Sequence, residues 1–135
     1  MAILNMDPDE ISQLSSESIS DWFWTIIERS NGDRDNLTSI LDNFTKEEIR
    51  RFKKEFDIAV FLLFNDEVIE RMGRVSEDEI IEISEWIVGQ GKSYYEQTLA
   101  GPNEIPTWEK IDHESNLALI PNSVYRKRFG ERLIP

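Results

Sequence analysis

Residues 45–64 constrain the fold more than any other stretch of the sequence. Thr45 and Glu48 have the spacing of a capping box, in which each side chain satisfies the other residue's unpaired backbone donor, so a helix begins there. Laid out at about 100° per residue, Ile49, Phe52, Phe56, Ala59, Val60 and Leu63 fall within one arc of about 100°, while Glu47, Arg50, Arg51, Lys54 and Asp57 lie away from its centre. Beyond Ala59 the addition of Phe61, Leu62 and Phe64 makes the helix apolar on all sides. That predicts a long central helix covered by more than one neighbour.

The rest of the chain is punctuated in the same way. Asp7-Pro8 offers a cap and a first-turn proline for a short helix over 9–17, and Ser20 caps a second over 21–29 that carries Trp22, Phe23, Ile26 and Ile27 on one side. Asn31-Gly32 breaks it, and Leu37, Ile40, Leu41 and Phe44 at helical spacing mark a third over 34–43. After Gly73, Ser76 and Glu79 form a second capping box ahead of Ile80, Ile83, Ile87 and Val88, for a helix to about Gln90. Gly89-Gln90-Gly91 permits a kink or break, 92–100 resumes helical character, and Gly101-Pro102 stops it. Pro102, Pro106 and Pro121 then punctuate a region with a weak helical candidate at 108–116 and another near 123–128. No segment of five or more residues alternates apolar with polar between turn signals. The expected fold is all-α: one compact helical domain of five or six helices, with a lead-in over 1–20, a core over 21–101 and an irregular, Pro-containing extension with a basic tail over 102–135.

Size and composition fit one core. A chain of 135 residues and 15.8 kDa has about one domain's length, and 4 Trp, 7 Phe and 3 Tyr are too many large side chains for a disordered chain. The 27 acidic against 15 basic residues give a net charge of −12, which disfavours nucleic acid as a partner because phosphate must be met by Lys and Arg. The charge is uneven. In the last eleven residues Arg126, Lys127, Arg128 and Arg132 stand against Glu131, four minus one, or +3, so the first 124 carry −15. An acidic body of this kind can steer a basic protein partner. No apolar run nears the roughly 20 residues of a membrane span, and residues 1–9 lack a signal-peptide pattern. The expectation is a cytoplasmic protein without a membrane partner.

Chemistry is limited by what is missing. No Cys is present, so thiol nucleophiles, disulfides and thiolate metal sites are excluded. His113 is the single histidine, and in Asp112-His113-Glu114 it reads as part of a solvated loop rather than as a catalytic base. Residues 31–36 resemble a calcium loop only superficially, since the ligand spacing fails after Asp35. Carboxylates remain: Glu67-x-x-Glu70 and Glu82-x-x-Glu85 on neighbouring helices could hold Mg²⁺ as all-α nucleotide pyrophosphohydrolases do, with the metal clamping phosphates and activating water. Against that, Asp78, Glu82 and Glu85 sit opposite Ile80, Ile83 and Ile87 on the helical wheel, where a solvated face belongs. No cofactor is implied by the residues otherwise. Trp86, Gln90, Tyr94 and Tyr95 form a cluster of amphipathic side chains that is either the rim of the core or a binding surface.

Ser76-Glu77-Asp78-Glu79-Ile80, followed by Trp86-Ile87, Gln90-Gly91, Tyr95-Glu96, Leu99 and Pro102, resembles the pattern of the domain of unknown function 4240 family of bacterial proteins. The stretch Phe23-Trp24-x-x-Ile27-Glu28 is similar to that family's opening Phe-Trp helix, and Val124-Tyr125 with Gly130-Glu131 and Pro135 resembles its closing Tyr and Gly-Glu-x-x-Pro. The likeness runs over 21–135. The chain departs from it at Glu77, where Asp is usual, and over 64–71, which is acidic where members are rich in Trp, Ala and Tyr. The resemblance implies an all-α fold and no assigned activity. It singles out Ser76, Asp78, Trp86, Gln90, Gly91 and Glu96, which match the pattern without an apolar-core reason. Ser76 as a helix cap, Asp78 in a helix's first turn and Gly91 as a backbone requirement also have purely structural accounts. Together these observations predict a noncatalytic protein-binding module, possible forms being an immunity- or antitoxin-like inhibitor of a basic protein or an accessory domain docking through its basic tail. The alternative is the Mg²⁺-dependent phosphohydrolase built on Glu67, Glu70, Glu82 and Glu85.

Overall fold

The computed structural model describes residues 7–101 and 104–133. The helix stop at Pro102 and the closing Pro135 lie outside the described residues. Eight α-helices and two short 3-10 turns form the described chain, and no strand occurs among the described residues. The helices are α1 (Pro8–Ser12), α2 (Asp21–Ser30), α3 (Arg34–Leu41), α4 (Lys46–Leu62), α5 (Asp66–Met72), α6 (Glu77–Gly89), α7 (Lys92–Ala100) and α8 (Ile120–Phe129).

The expected five or six helices are too few, for local reasons. Asn65 accepts from the Val68 backbone N–H at 3.0 Å and so caps α5 as a helix of its own, separate from α4. Pro121 lies in the first turn of α8, where its missing N–H costs nothing, so a residue read as punctuation starts a helix. Among the described residues the extension is therefore irregular between α7 and α8 and again over 130–133. Between the two helices the expected 108–116 helix is a turn followed by a 3-10 turn over His113–Ser115. At the other end, the helix expected over 9–17 ends at Ser12, and a separate 3-10 turn, Ser16–Ser18, follows under its own Ser15 cap.

The capping boxes form as the spacing demands. The Glu48 backbone N–H donates to Thr45 Oγ1 at 3.2 Å and Thr45 N–H to Glu48 at 2.9 Å; the Ser76 and Glu79 pair repeats the geometry at 3.2 and 2.9 Å. Between them α4 forms the centre of the molecule and packs on α2, α6 and α8. Its stripe, Ile49, Phe52, Phe56, Ala59, Val60 and Leu63, is buried throughout. Phe23 of α2 meets Phe52 and Phe56 with ring centroids 5.0 and 6.1 Å apart, and burying such a side chain contributes about 1.5–3 kcal/mol.

Polar staples fix the layers around this core. Glu55, buried on α4, accepts from Ser20 N–H at 2.6 Å and pairs with Arg51 at 2.9 Å, tying the start of α2 to α4. Tyr95 of α7 is fully buried and donates its hydroxyl to the Ala59 carbonyl at 2.7 Å; burial raises its pKa. Asp57, which the wheel places away from the apolar stripe, is buried as well, because α6 covers that side of α4; Lys53 pairs with it at 2.9 Å. On α8, Arg128 donates to the Leu41 carbonyl at 3.0 Å and to the Phe44 carbonyl, closing the C-terminal end of α3. The basic segment is thus a packed helix whose Val124 and Tyr125 enter the core, with Arg126 and Lys127 exposed.

Phe52→Ala is expected to cost about 3–5 kcal/mol and Thr45→Ala about 1 kcal/mol in urea unfolding followed by circular dichroism. The first removes a central packing element, the second only one half of a cap.

Candidate functional site

The C-terminal ends of α2 and α6 meet at one corner of the molecule. The α2 helix ends in the left-handed Asn31 (φ 52°) and Gly32 (φ 68°). The α6 helix ends at Gly89, and Gly91 at φ 103° turns the chain sharply into α7. A Cβ at Gly91 would sit 3.7 Å from the Glu28 side chain. One at Gly89 would lie 3.4 Å from the Ser115 carbonyl, so a residue read as a helix break is also the floor on which residues 115–117 rest.

Between these ends lies a cleft of about 400 Å³, lined by Glu28, Asn31, Trp86, Gln90, Asp112 and Ser115 among others. A second of about 400 Å³ adjoins it, shares Gly32, Asp112 and Ser115, and adds Asp33, Asp35 and Glu114. Five carboxylates therefore border the pair. Arg34 is the one cation lining either cleft among the described residues, and two of its five guanidinium N–H groups donate to the Asn116 and His113 carbonyls, both at 2.9 Å, which fixes where its charge stands. The C-termini of α2 and α6 bring partial negative charge to this corner and the N-termini of α3 and α7 bring partial positive charge, so the helix dipoles offset one another there and the side-chain carboxylates set the sign. Lys92, first residue of α7, is drawn towards Asp21 at 3.1 Å and Glu96 at 3.9 Å, which raises its pKa.

Segment 104–119 forms the outer wall; beyond its one 3-10 turn and the buried Ile111, Leu117 and Ala118, it is held by polar contacts. Trp108 Nε1 donates to Glu82 at 2.8 Å, His113 Nδ1 lies 3.3 Å from the same carboxylate, and Asn116 donates to Glu85 at 3.0 Å. Glu82 and Glu85 are thus half-buried under the extension, which corrects their expected place on a solvated face. Burial raises the Glu85 pKa, against the lowering effect of its bond from Asn116.

Of the residues singled out by sequence, the structure brings Trp86, Gln90 and Gly91 to this cleft. Tyr94 stands behind them, its ring edge-on to Trp86 at 5.6 Å and its hydroxyl donating to the Glu104 carbonyl at 3.3 Å. Ser76 and Asp78 lie at the far end of α6, about 18 Å along the axis, where Ser76 is occupied as a cap. Glu96 is exposed on α7 with Lys92 as its partner. The four carboxylates of the metal alternative are not gathered: Glu67 and Glu70 are exposed on α5, Glu82 and Glu85 hold the extension, and no group of three or more Asp, Glu or His side chains among the described residues could hold a metal ion. Glu28, Asn31, Asp112 and Ser115 were not legible as site residues, since more than 80 positions separate the two halves and each half reads as an ordinary turn.

A small all-α domain with a polar, carboxylate-lined corner cleft is the class that this geometry defines. The sequence profile of the family described as "Protein of unknown function (DUF4240)" matches residues 19–127, and the chain belongs to that family. The match ends short of Gly130, Glu131 and Pro135. No curated protein and no solved structure matches the chain. Among the described residues, no helix is long and apolar enough to cross a membrane.

Glu85→Gln tests how α6 carries the extension. A carboxylate whose folded pKa is raised favours folding below its unfolded pKa and loses that contribution as pH rises through the folded value, so at pH 7 the ionised form is the costly one. Gln keeps the acceptor for Asn116 without the charge. The variant should melt above wild type at pH 7 by differential scanning fluorimetry, with the gap closing towards pH 4.

Proposed function

We propose that this protein is a noncatalytic binding module of the cytoplasm that recognises a basic segment of another protein in the two adjoining clefts. The observation that carries this reading is the set of five carboxylates, Glu28, Asp33, Asp35, Asp112 and Glu114, around clefts whose one cation is committed to backbone carbonyls. The Trp86 side chain on the cleft wall supplies an amphipathic surface of the kind that anchors protein partners, and the acidic body around it steers a basic partner inwards. An inhibitor that masks a basic protein is one form such a module takes.

The test uses a short fluorescent oligolysine peptide and fluorescence anisotropy at about 50 mM and about 500 mM salt. Wild type should bind at the lower salt and weaken strongly at the higher. Glu28→Gln with Asp112→Asn should weaken binding about three- to tenfold, as the loss of two exposed charge pairs does. Glu67→Gln with Glu70→Gln, exposed on α5 and outside both clefts, removes the same charge and should leave affinity unchanged. Equal weakening by both double variants would contradict a defined site and leave only diffuse attraction.

A further inference from the structure

The basic end of the molecule is built round an aromatic pair. Tyr125 and Phe129, one turn apart on α8, stand edge to face at 5.1 Å. Lys46 Nζ lies 5.1 Å and the Arg128 guanidinium 4.8 Å from the Phe129 ring centroid, and the Arg50 guanidinium lies 5.4 Å from that of Tyr125. At such distances a cation is attracted to the face of a ring. Arg126 is exposed three residues before Phe129 and so beside it on the helix surface. Four cations from two helices thus converge in a chain whose net charge is −12. Helix α8 runs beside α3, with Arg34 reaching the Asn116 carbonyl ahead of its start and Arg128 reaching the Leu41 carbonyl near its end. The cations therefore gather at the C-terminal end of α3, about 12 Å along its axis from the clefts at its start.

Among the described residues one carboxylate pairs with these cations. Glu131, just past the end of α8, accepts from Lys46 at 3.0 Å and from the Tyr125 hydroxyl at 3.4 Å. The Lys46 hydrogen bond and charge hold its pKa below the ordinary value, and Tyr125 and Arg50 add to the effect. Of the acids in the first turn of α4, Glu48 is held by its capping box, and Glu47 forms no ion pair with the four cations. We propose that this α4–α8 face binds an acidic segment of a further partner protein, and that Glu131 is its internal occupant, displaced when that segment arrives. A carboxylate is the chemistry that the face already holds. The Glu131 side chain is 52 % exposed, and an exposed pair of this kind is weak enough to exchange with a carboxylate from outside. Charges more than about 8 Å away are screened at physiological salt, so a short acidic segment meets the four cations and little of the acidic body. Duplex nucleic acid or an anionic membrane extends beyond the face and meets that body. The face is separate from the clefts and stands independently of the function proposed for them.

A fluorescent oligoglutamate peptide tests this by anisotropy at about 150 mM salt. Glu131→Gln should bind it about two- to fivefold more tightly than wild type, as removal of one exposed competing pair allows. Glu109→Gln, the same loss of charge on segment 104–119, should leave affinity unchanged. Arg50→Gln with Arg126→Gln should weaken binding about three- to tenfold, and Arg29→Gln with Lys110→Gln, exposed on α2 and on segment 104–119, should not. In a ¹⁵N-labelled sample the amides of 130–132 should shift as the peptide saturates. No binding by Glu131→Gln, equal effects of the target and control variants, or amides of 130–132 that stay in place would overturn the proposal. So would tighter binding of duplex DNA or of anionic phospholipid vesicles than of oligoglutamate at the same salt. A wild-type mass that grows with concentration, and stays monomeric in the Arg50 and Arg126 double variant, would assign the face to a second copy and overturn it too. Glu28→Gln with Asp112→Asn should leave oligoglutamate affinity unchanged, so failure of the clefts and failure of this face are read separately.

Discussion

Burial of one face of α4 is the constraint on which the remainder of the structure depends. Phe52 and Phe56 present two rings to Phe23, and Ala59, small and fully buried, lets Tyr95 of α7 approach closely enough to bond its carbonyl. The interior of α4 therefore positions α2 and α7 at once, and with them the ends that border the clefts.

The second layer is polar. Segment 104–119 buries Ile111, Leu117 and Ala118 and rests Ile105 and Trp108 half-buried on the core, and its backbone lacks an α-helical ladder. It is held by the carboxylates Glu82 and Glu85 and by the Arg34 guanidinium, each spanning long stretches of sequence. Contacts of this kind are individually modest and sensitive to charge. A wall fixed by them responds to pH in a way that the aromatic centre of the molecule does not.

These two layers differ in how far the sequence reveals them. The α4 stripe and both capping boxes follow from spacing along one helix, so Thr45, Glu48, Ser76 and Glu79 could be assigned to their partners three residues away. Helix α8 was half visible, because a helical candidate stood near 123–128 while Pro121 suggested a break; the first-turn position resolves the conflict. Glu82 and Glu85 were placed on a solvated face because a wheel knows only its own helix and cannot show an irregular segment folding back over it. Trp86, Gln90 and Gly91 were found through a family likeness and the aromatic cluster. Their counterparts Glu28, quoted only within the opening helix pattern, and Asp112, read only as part of a solvated loop, were not marked as site residues, since only tertiary packing brings residue 28 and residue 112 to one corner.

Recognition of a basic segment at that corner is the central claim, and mapping its footprint tests it most directly. In a ¹⁵N-labelled sample titrated with oligolysine, the amides of Asn31, Gly32, Gln90, Gly91 and Asp112 and the indole N–H of Trp86 should shift together and saturate. Shifts spread evenly over the acidic surface, or confined to α5 and the far end of α6, would contradict it.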